Sequence, residues 1–543
     1  MLMRIFFLFF LVISWVQAGD VPASPLLEAH PKKWSFVSMG LTPVQSGGRL
    51  KPFDSFAREV VLFETGSRSF KGWQPIDLLF SWIALPHYWD TQPIIQVGRE
   101  DVRRQLNLDE KRIYFSPNEL FKNPVLAQYS TQIGKVDGSR APGAPKSTPR
   151  DQELKAVLDR VGLFHAIISG QGWMIVPKPT PAAWGTLVGE DSEGNIIRNQ
   201  FVDLLKAYQE ENESHFERQS LLFRSAVEGD IAGYERGIDN KIYAETVYSR
   251  SRPFMVAWIF YLGAALFWIF SVRRVALPLT GMAIVSQVFG IALRCFIAGR
   301  PPVTNMYESI IWVSLGVVVF ASVLYYLHRD SIIMSAGSIL ALLALIAGDA
   351  APTILDPSLN PLVPVLRSNY WLTIHVLTIT LAYAAFALTL GLSNVTLFHF
   401  LRQEKAVKIK VLNQFTYRAM QFGVVLIAAG TILGGIWADY SWGRFWGWDP
   451  KEVWALITLL CYLVILHGRY ANWVGPFGFA AWSALSFMSV VMAWYGVNFI
   501  LGVGLHSYGF STGGTPWVIG FVILQLLYVG LVTGFHHYRK AQR

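Results

Sequence analysis

Nine apolar stretches in the C-terminal half constrain this sequence more than any other feature. They begin just after Pro253, and each is close to the length that a helix needs to cross a hydrocarbon core of about 30 Å. Hydrophobic residues make up 52% of the chain, and its mean hydropathy is positive. The sequence therefore predicts an all-α polytopic membrane bundle of about nine transmembrane helices, at residues 254–272, 275–297, 306–327, 331–348, 371–400, 417–437, 452–467, 478–497 and 516–535.

The N-terminal half has a different character, and a chain of 543 residues is long enough for at least two domains. Residues 1–18 are typical of a secretory signal peptide, because Arg4 precedes a short apolar core and a small-residue cleavage site; an uncleaved anchor is the alternative. Residues 19–250 contain no run long enough to span a bilayer, so we expect an extracytoplasmic soluble domain that is α+β or mainly helical. Within it, Pro43–Glu59 is predicted to form a turn and a short helix. Residues 251–543 form the predicted transmembrane domain.

The positive charges indicate an orientation in the membrane. The formal net charge is +9, and most loop Lys and Arg residues lie on the side of the C-terminus, among them Arg273, Arg329, Arg469 and Arg539. Cytoplasmic loops carry such an excess, so we expect the N-terminal domain outside the cytoplasm and the C-terminus inside it. Membrane topology accounts for the basic residues, and we expect no nucleic-acid partner because no nucleic-acid-binding pattern is present.

A short loop between the sixth and seventh predicted helices is rich in tryptophan. It contains Trp442, Trp446 and Trp448, and Gly443 and Gly447 let its backbone come close to whatever the rings cover. An aromatic belt at the membrane interface is the ordinary explanation of such rings. The density of rings and glycines favours a binding surface on the outer side of the membrane.

The residues after this loop form a helix start signal. Asp449 is well placed as the N-cap, Pro450 as the first helical residue, and Glu452 completes a capping box three residues after the cap. A helix N-terminus also favours anions. We therefore expect the seventh helix to begin here and to hold the aromatic rings on a fixed platform.

The run Ser441–Ile457 (SWGRFWGWDPKEVWALI) resembles the tryptophan-rich WWD signature of the haem-handling protein superfamily. Its form is similar to that of the CcsA (ResC) type of System II cytochrome c synthase, and the resemblance covers roughly residues 253–543. The resemblance implies a holocytochrome c synthase of the haem lyase type in a bacterial inner (cytoplasmic) membrane. Such a protein binds ferrous haem b as substrate at an external site, above the signature loop, and promotes its thioether attachment to CxxCH motifs of apocytochrome c. The resemblance implies that the haem-binding residues of this loop are Trp442, Gly443, Trp446, Gly447, Trp448 and Asp449.

Two histidines flank the tryptophan-rich loop on the outer side of the predicted topology. His375 lies near the outer end of the fifth helix, and His506 lies in the loop between the eighth and ninth helices. Imidazole is a common axial ligand of haem iron, so the pair is consistent with a bis-histidine haem site. The family resemblance implies the same roles. For either residue alone, a packed or solvated histidine is the ordinary explanation.

A third histidine, His467, follows Glu452 on the seventh helix by about 23 Å, near the inner leaflet. The resemblance implies that it binds haem in transit; an interfacial residue beside Arg469 is the alternative. Fused relatives supply a second membrane histidine from a CcsB (ResB) part, and the N-terminal apolar run contains no histidine. We therefore expect a separate CcsB/ResB-type membrane partner, besides apocytochrome c and thiol-reducing proteins.

Other functional classes stay open at this point. A haem exporter or transporter would use the same histidines, and so would a System I subunit of the CcmC or CcmF type without its own synthase activity. A structural assembly scaffold would bind no haem.

Several polar residues near the outer ends of the helices have both a structural and a binding explanation. We expect pairing within the bundle among Gln287, Arg294, Asn305 and Glu308. The run Pro301–Ser309 is similar to that of the family, and it either contacts haem or only holds helices together. Arg444 and Lys451 suit haem propionates, because cations bind carboxylates, and they equally suit lipid headgroups.

Overall fold

The computed structural model describes residues 29–32, 34–136, 148–178, 183–188, 195–231, 237–361, 370–501, 504 and 514–542. The predicted signal peptide and His506 lie outside the described residues. The chain divides into two compact units, which we call the N-terminal unit and the membrane unit. The N-terminal unit contains Met1–Met39, Val60–Lys178 and Trp184–Val227, and the membrane unit contains Gly40–Glu59, Pro179–Ala183 and Glu228–Arg543.

The described residues up to Ile231 are mainly helical with short strands, which agrees with the fold class predicted for this half. The described helices are α1 (Val37–Gly40), α2 (Phe53–Thr65), α3 (Pro75–Ala84), α4 (Pro86–Thr91), α5 (Glu100–Gln105), α6 (Pro117–Phe121), α7 (Pro124–Val136), α8 (Pro149–Ile168), α9 (Asn195–Gln209) and α10 (Glu213–Ile231). The strands are β1 (Pro43–Ser46), β2 (Arg49–Pro52), β3 (Ile95–Gln96), β4 (Tyr114–Phe115), β5 (Met174–Val176) and β6 (Gly185–Thr186). Antiparallel pairs join β1 to β2, β3 to β4 and β5 to β6.

Aromatic rings build the core of the N-terminal unit. The ring of Phe80 on α3 lies between 5.6 and 6.2 Å from the rings of Trp173, Phe201, Tyr208 and Phe216, measured between centroids. Aromatic pairs at such distances add about 0.5–1.5 kcal/mol each beyond the burial of their area. The cluster therefore ties α3 to α9 and α10.

A buried carboxyl group lies beside this core. Asp77 is fully buried, and it accepts hydrogen bonds from the Tyr208 hydroxyl at 2.7 Å and from the Lys32 backbone N–H at 2.6 Å. Burial raises the pKa of Asp77 to about 6, and the hydrogen bond from Tyr208 offsets part of this rise.

Nine helices among the described residues are long and apolar enough to cross a membrane, which confirms the predicted multi-pass bundle. The first combines α11 (Ile238–Ser251) with α12 (Pro253–Ile269), and the eighth combines α19 (Pro476–Val491) with a π-helix (Met492–Leu501). The others are α13 (Arg273–Ala298), α14 (Met306–His328), α15 (Ser331–Ala350), α16 (Tyr370–Leu401), α17 (Ala406–Trp442), α18 (Pro450–Tyr470) and α20 (Thr515–Ala541). The largest departure from the predicted starts, apart from the added α11, is in α17, which begins at Ala406 rather than at residue 417.

Helices α16 and α17 pack against each other more extensively than any other described pair of elements. Glycines on α17 allow the approach: a Cβ on Gly423 would lie 2.4 Å from the ring of Phe386, and one on Gly430 would lie 3.0 Å from the Cα of Ile379. Small residues at helix interfaces let backbones approach closely in membranes. The relative position of these two helices is therefore fixed over most of their length.

The predicted pairing of polar residues near the helix ends is confirmed in part. The Arg294 guanidinium donates to the Glu308 carboxylate at 2.9 Å, and Asn305 caps α14 by accepting from the Glu308 backbone N–H at 2.7 Å. Gln287 belongs to a separate contact, because it accepts from the Tyr261 hydroxyl at 2.8 Å.

The hairpin of β1 and β2 belongs to the membrane unit rather than to the N-terminal unit. Its turn uses Gly47 and Gly48, both at positive φ (59° and 77°), which glycine adopts without a steric penalty. Arg49 donates to the Glu245 carboxylate at 2.6 and 2.8 Å and to the Leu359 carbonyl at 2.6 Å. The predicted turn and helix are present here, but the sequence did not predict the two strands.

Candidate functional site

One end of the membrane unit contains a cavity of about 520 Å³. Its wall is formed by the segment 299–309, the first part of α16, the last turns of α17, the beginning of α18 with the loop before it, and the π-helix. Small-molecule sites usually have volumes of about 300–1,000 Å³. We call this the cavity end of the bundle.

His375 on α16 forms part of the cavity wall. Its Nδ1 lies 2.7 Å from the backbone carbonyl oxygen of Gly430 on α17. A carbonyl oxygen only accepts hydrogen bonds, so Nδ1 carries the proton and the neutral ring has its lone pair on Nε2. Hydrogen bonding of one ring nitrogen to a backbone carbonyl is how proteins orient a histidine whose other nitrogen binds a metal. The ring also lies parallel to that of Trp437, at 6.3 Å.

A glycine on α17 makes room for this ring. A Cβ on Gly434 would lie 2.6 Å from Cε1 of His375, which is closer than real contacts allow. Gly430, which provides the accepting carbonyl, precedes Gly434 by one helical turn on the face that packs against α16. The position of the imidazole is therefore a consequence of close packing between two helices.

The tryptophan-rich loop connects α17 to α18. Trp446 forms part of the cavity wall, and Trp448 packs against it edge to face at 5.8 Å. Trp442 packs against Trp437 at 4.6 Å. Trp448 is highly exposed and has a positive φ of 57°, which is unusual for a bulky residue and is often found at functional sites. Trp446 is thus in the wall, with Trp442 and Trp448 in contact with wall residues.

Glu452 organises the loop. Its carboxylate accepts from the Arg444 guanidinium at 3.0 Å, from the Gly447 backbone N–H at 2.8 Å and from the Asp449 backbone N–H at 3.1 Å. The buried Asp449 carboxylate accepts from the Lys451 backbone N–H at 3.0 Å. The capping box and the start of α18 at Pro450 are therefore confirmed.

The two loop glycines have local structural functions. Gly443 ends α17 with a φ of 69°, and a Cβ on Gly447 would overlap the Arg444 guanidinium. Arg444 is thus engaged inside the loop, where it also lies over the ring of Trp442 at 5.6 Å. Lys451, in contrast, forms part of the cavity wall.

The other two predicted ligands are not part of the described cavity wall. His506 lies outside the described residues. His467 lies in the last turn of α18, about 24 Å along the helix from Lys451, and is exposed. Its Nδ1 lies 2.8 Å from the Leu463 carbonyl oxygen of its own helix. The structure therefore separates His467 from His375.

Sequence reasoning missed several residues of the wall, namely Arg300, Gly434, Trp437, Trp494 and Asn498. Trp494 and Asn498 lie on the π-helix, a rare element that is frequent at functional sites, and no hydropathy pattern distinguishes it from an α-helix. Gly430 and Gly434 have the small-xxx-small spacing of packed membrane helices, a signal that was available in the sequence.

Comparison with known proteins adds independent information about this chain. A family model described as "Cytochrome C assembly protein" matches residues 303–506. The cytochrome c biogenesis protein CcsA of Guillardia theta is 32% identical over 258 residues, which cover 42% of this chain and 84% of that protein. CcsA of Prochlorococcus marinus (strain MIT 9301) is 33% identical over 45% of this chain and 86% of that protein.

A longer relative matches most of this chain. Protein NrfI of Wolinella succinogenes is 28% identical over 495 residues, which cover 85% of this chain and 53% of NrfI. The chain thus spans about half the length of that relative. This chain covers more than two thirds of the length of each of the two CcsA proteins. These matches identify the chain as a member of the CcsA family of cytochrome c biogenesis proteins.

Proposed function

We propose that this chain binds ferrous haem b, its substrate, in the cavity and promotes covalent attachment of the haem to CxxCH motifs of apocytochrome c. The observation that carries the proposal is His375, whose ring lies in the cavity wall with its proton held on Nδ1 by the Gly430 carbonyl. That tautomer has the lone pair that binds iron on Nε2. The proposal extends the established role in cytochrome c biogenesis to a particular site and reaction.

In this proposal His375 and His506 are the two axial ligands of the haem iron, since imidazole is a common axial ligand. Trp446 covers part of the ring, and Trp442 and Trp448 support the wall through their contacts. Lys451 suits a haem carboxylate because it is a cation in the cavity wall.

The proposed reaction is an addition of thiols to vinyl groups. Each cysteine sulfur forms a bond to one vinyl carbon, the carbon–carbon π bond is consumed, and the thiol proton goes to the other vinyl carbon. The addition itself changes no oxidation state, so external reductants are needed only to keep the thiols and the iron reduced. The contribution of the protein is to hold haem and peptide in register, since close alignment alone supplies a large part of such rate gains.

We also propose an orientation of the chain in the membrane and a set of partner proteins. The cavity end faces the outside of a bacterial inner membrane, and the C-terminus with Arg539 and Lys540 faces the cytoplasm, in line with the positive-inside rule. His467 binds haem in transit, together with a histidine from a CcsB/ResB-type membrane protein. Apocytochrome c and thiol-reducing proteins act at the outer face.

A second candidate is a haem exporter, or a System I haem-handling subunit, without synthase activity of its own. The wide separation of His467 from the cavity supports it, because two haem positions at opposite ends of one bundle also suit transport. The two candidates differ in one product, the thioether bond.

The test is co-expression of the full chain with a CcsB-type partner and an apocytochrome c, in a host without its own maturation system. We expect covalent haem on the cytochrome with the wild type, none with His375→Ala, and wild-type amounts with His537→Ala, which removes an exposed histidine on α20. Haem-loaded wild-type protein that yields no covalent product would favour the second candidate. Wild-type protein that contains no haem would refute both.

A further inference from the structure

The segment between α13 and α14 forms one side of the cavity. Its wall residues include Arg300, Val303, Thr304, Met306 and Ser309. The sequence alone left open whether this region contacts the substrate or only holds helices together. Its position in the cavity wall now favours contact with whatever occupies the cavity.

The charges of this segment do not balance. The buried Glu308 carboxylate pairs with the Arg294 guanidinium at 2.9 Å and with the Arg300 guanidinium at 3.0 Å. Within the described part of the chain, Glu308 is the one acid in ion-pair contact with either arginine. Two cations thus share one anion, and the cluster retains one positive charge in a place where unpaired charge is costly.

The two arginines differ in what they face. Arg294 is fully buried, and its other hydrogen bonds go to the neutral Tyr248 hydroxyl at 3.0 Å and the Pro357 carbonyl at 2.8 Å. Arg300 is the member of the pair that forms part of the cavity wall. The surplus charge is therefore available to an anion inside the cavity, and Arg300 is the side chain that reaches it.

Arg300 has the hydrogen-bonding capacity for such an anion. Its guanidinium donates to Glu308, to the Thr304 hydroxyl and to the Asn360 carbonyl, the last at 2.9 Å. A guanidinium has five N–H donors, so these three bonds leave two. The side chain is only 10% exposed, and its contacts hold it in one orientation. A fixed guanidinium with spare donors is suited to a carboxylate.

We propose that Arg300 binds a carboxylate of the haem substrate. This inference rests on the proposed function, because His375 in the same cavity would bind the iron of the same molecule. Haem has two carboxylates, and the cations of the described cavity wall are Arg300 and Lys451. The acid in that wall, Glu452, is already paired with Arg444 at 3.0 Å.

The consequence for the reaction is control of rotation. A ring held only by its iron can turn about the axis of the ligands, whereas a carboxylate fixed at Arg300 sets the angle of the ring. The vinyl groups are on other pyrroles than the carboxylates, so this angle decides where each vinyl group meets a thiol. Arg300 is therefore a positioning residue for haem attachment.

The test is a titration of the full chain in lipid nanodiscs with iron protoporphyrin IX and, separately, with its dimethyl ester, which has no free carboxylate. For Arg300→Gln we expect a Kd for the free acid about tenfold to a hundredfold higher than that of the wild type, the loss typical of a hydrogen bond to a charged group. For the ester we expect equal Kd values in the two proteins. Arg252→Gln is the matched control, since this half-exposed cation pairs with Asp349 at 3.7 Å and is not among the wall residues.

Arg300→Lys is a second variant, in case Arg300→Gln fails to fold. It should recover part of the affinity, because lysine keeps the positive charge but lacks the planar guanidinium that donates two hydrogen bonds to one carboxylate. Equal affinity of wild type and Arg300→Gln for the free acid would overturn the inference, and so would an equal loss for acid and ester. These outcomes differ from failure of the proposed function, in which the wild type itself binds neither compound.

Discussion

Two histidines at opposite ends of the membrane unit have the same local hydrogen bond but very different surroundings. Nδ1 of His375 contacts the Gly430 carbonyl at 2.7 Å, and Nδ1 of His467 contacts the Leu463 carbonyl at 2.8 Å. His375 lies in the wall of a cavity with aromatic neighbours, whereas His467 is exposed on its helix. The same tautomer is therefore fixed for His375 in a cavity wall and for His467 on an exposed surface.

The difference is in the origin of the acceptor. Leu463 lies four residues before His467 on the same helix, and His165 in the N-terminal unit makes the same kind of contact with Val161 at 2.7 Å. This local bond is thus ordinary for a helical histidine. The acceptor of His375 belongs to another helix, so its orientation depends on tertiary packing. The His375 ring is therefore oriented by packing between two helices, whereas the His467 ring is oriented only by its own helix.

Overpacking the helix interface should have the largest effect on the cavity end. In Gly434→Ala the new Cβ would lie 2.6 Å from the His375 ring, so the ring must move from its position. Such overpacking costs about 1–3 kcal/mol, and we expect the haem bound per purified protein to fall about tenfold. Gly281→Ala on α13 is the matched control, because its Cβ has no heavy atom within 4 Å. Equal losses in both variants would contradict the dependence on packing.

Substitution of Glu452 should weaken the cavity end while the far end of the same helix stays intact. Glu452→Ala removes the capping box and the partner of Arg444, and we expect the free energy of unfolding to fall by about 2 kcal/mol. Glu452→Gln keeps an acceptor for the cap and should lose about half as much. Haem content reports on the cavity end, and diethyl pyrocarbonate modification of His467 reports on the far end of α18. A change in His467 modification would contradict the expectation that the far end stays intact.

Substitution of His467 should leave the cavity unchanged. We expect His467→Ala, purified without a partner, to bind haem with wild-type affinity and spectrum, since the residue lies about 24 Å from Lys451 along α18. With a CcsB-type partner present, the same variant should lower the yield of covalent cytochrome. Loss of the haem spectrum in the isolated variant would place the principal haem site at His467 and would contradict its assignment to the cavity of His375.

The N-terminal unit provides a reference, because its stability should depend on pH while the haem content of the protein stays unchanged. The pKa of Asp77 is about 6 in the folded unit, above its ordinary value, so the folded state binds more protons than the unfolded state between about pH 4 and pH 6. Stability should therefore fall as pH rises through this range, and Asp77 contributes at most about 3 kcal/mol to the fall. Hydrogen exchange of α3 and α9 amides would measure it, and Asp77→Asn should reduce the slope; the slope that remains comes from Glu64 of the same unit, whose pKa burial also raises. An unchanged slope in Asp77→Asn would refute the contribution of Asp77.

The sequence predicted those features that depend on local pattern. The nine membrane helices follow from the length of their apolar runs, and the start of α18 follows from Asp449, Pro450 and Glu452. The tryptophan-rich loop carries a family signature in one continuous segment, which led directly to one side of the cavity.

Two features that depend on contacts between distant segments were not predicted. The β1–β2 hairpin belongs to the membrane unit through Arg49 and its partners Glu245 and Leu359, which are far away in sequence. Arg300 becomes significant only when Arg294 and Arg300 are seen to share the single negative charge of Glu308. Neither set of contacts produces a periodic pattern that can be recognised in a single sequence.

The most direct test of the central claim is the reduced absorption spectrum and haem content of the full chain, purified as wild type, His375→Ala and His537→Ala. Our account predicts a bis-histidine spectrum in the wild type and in His537→Ala, and loss of that spectrum in His375→Ala with partial recovery on addition of imidazole. An unchanged spectrum in His375→Ala would contradict the claim that this histidine, held by Gly430, binds the iron.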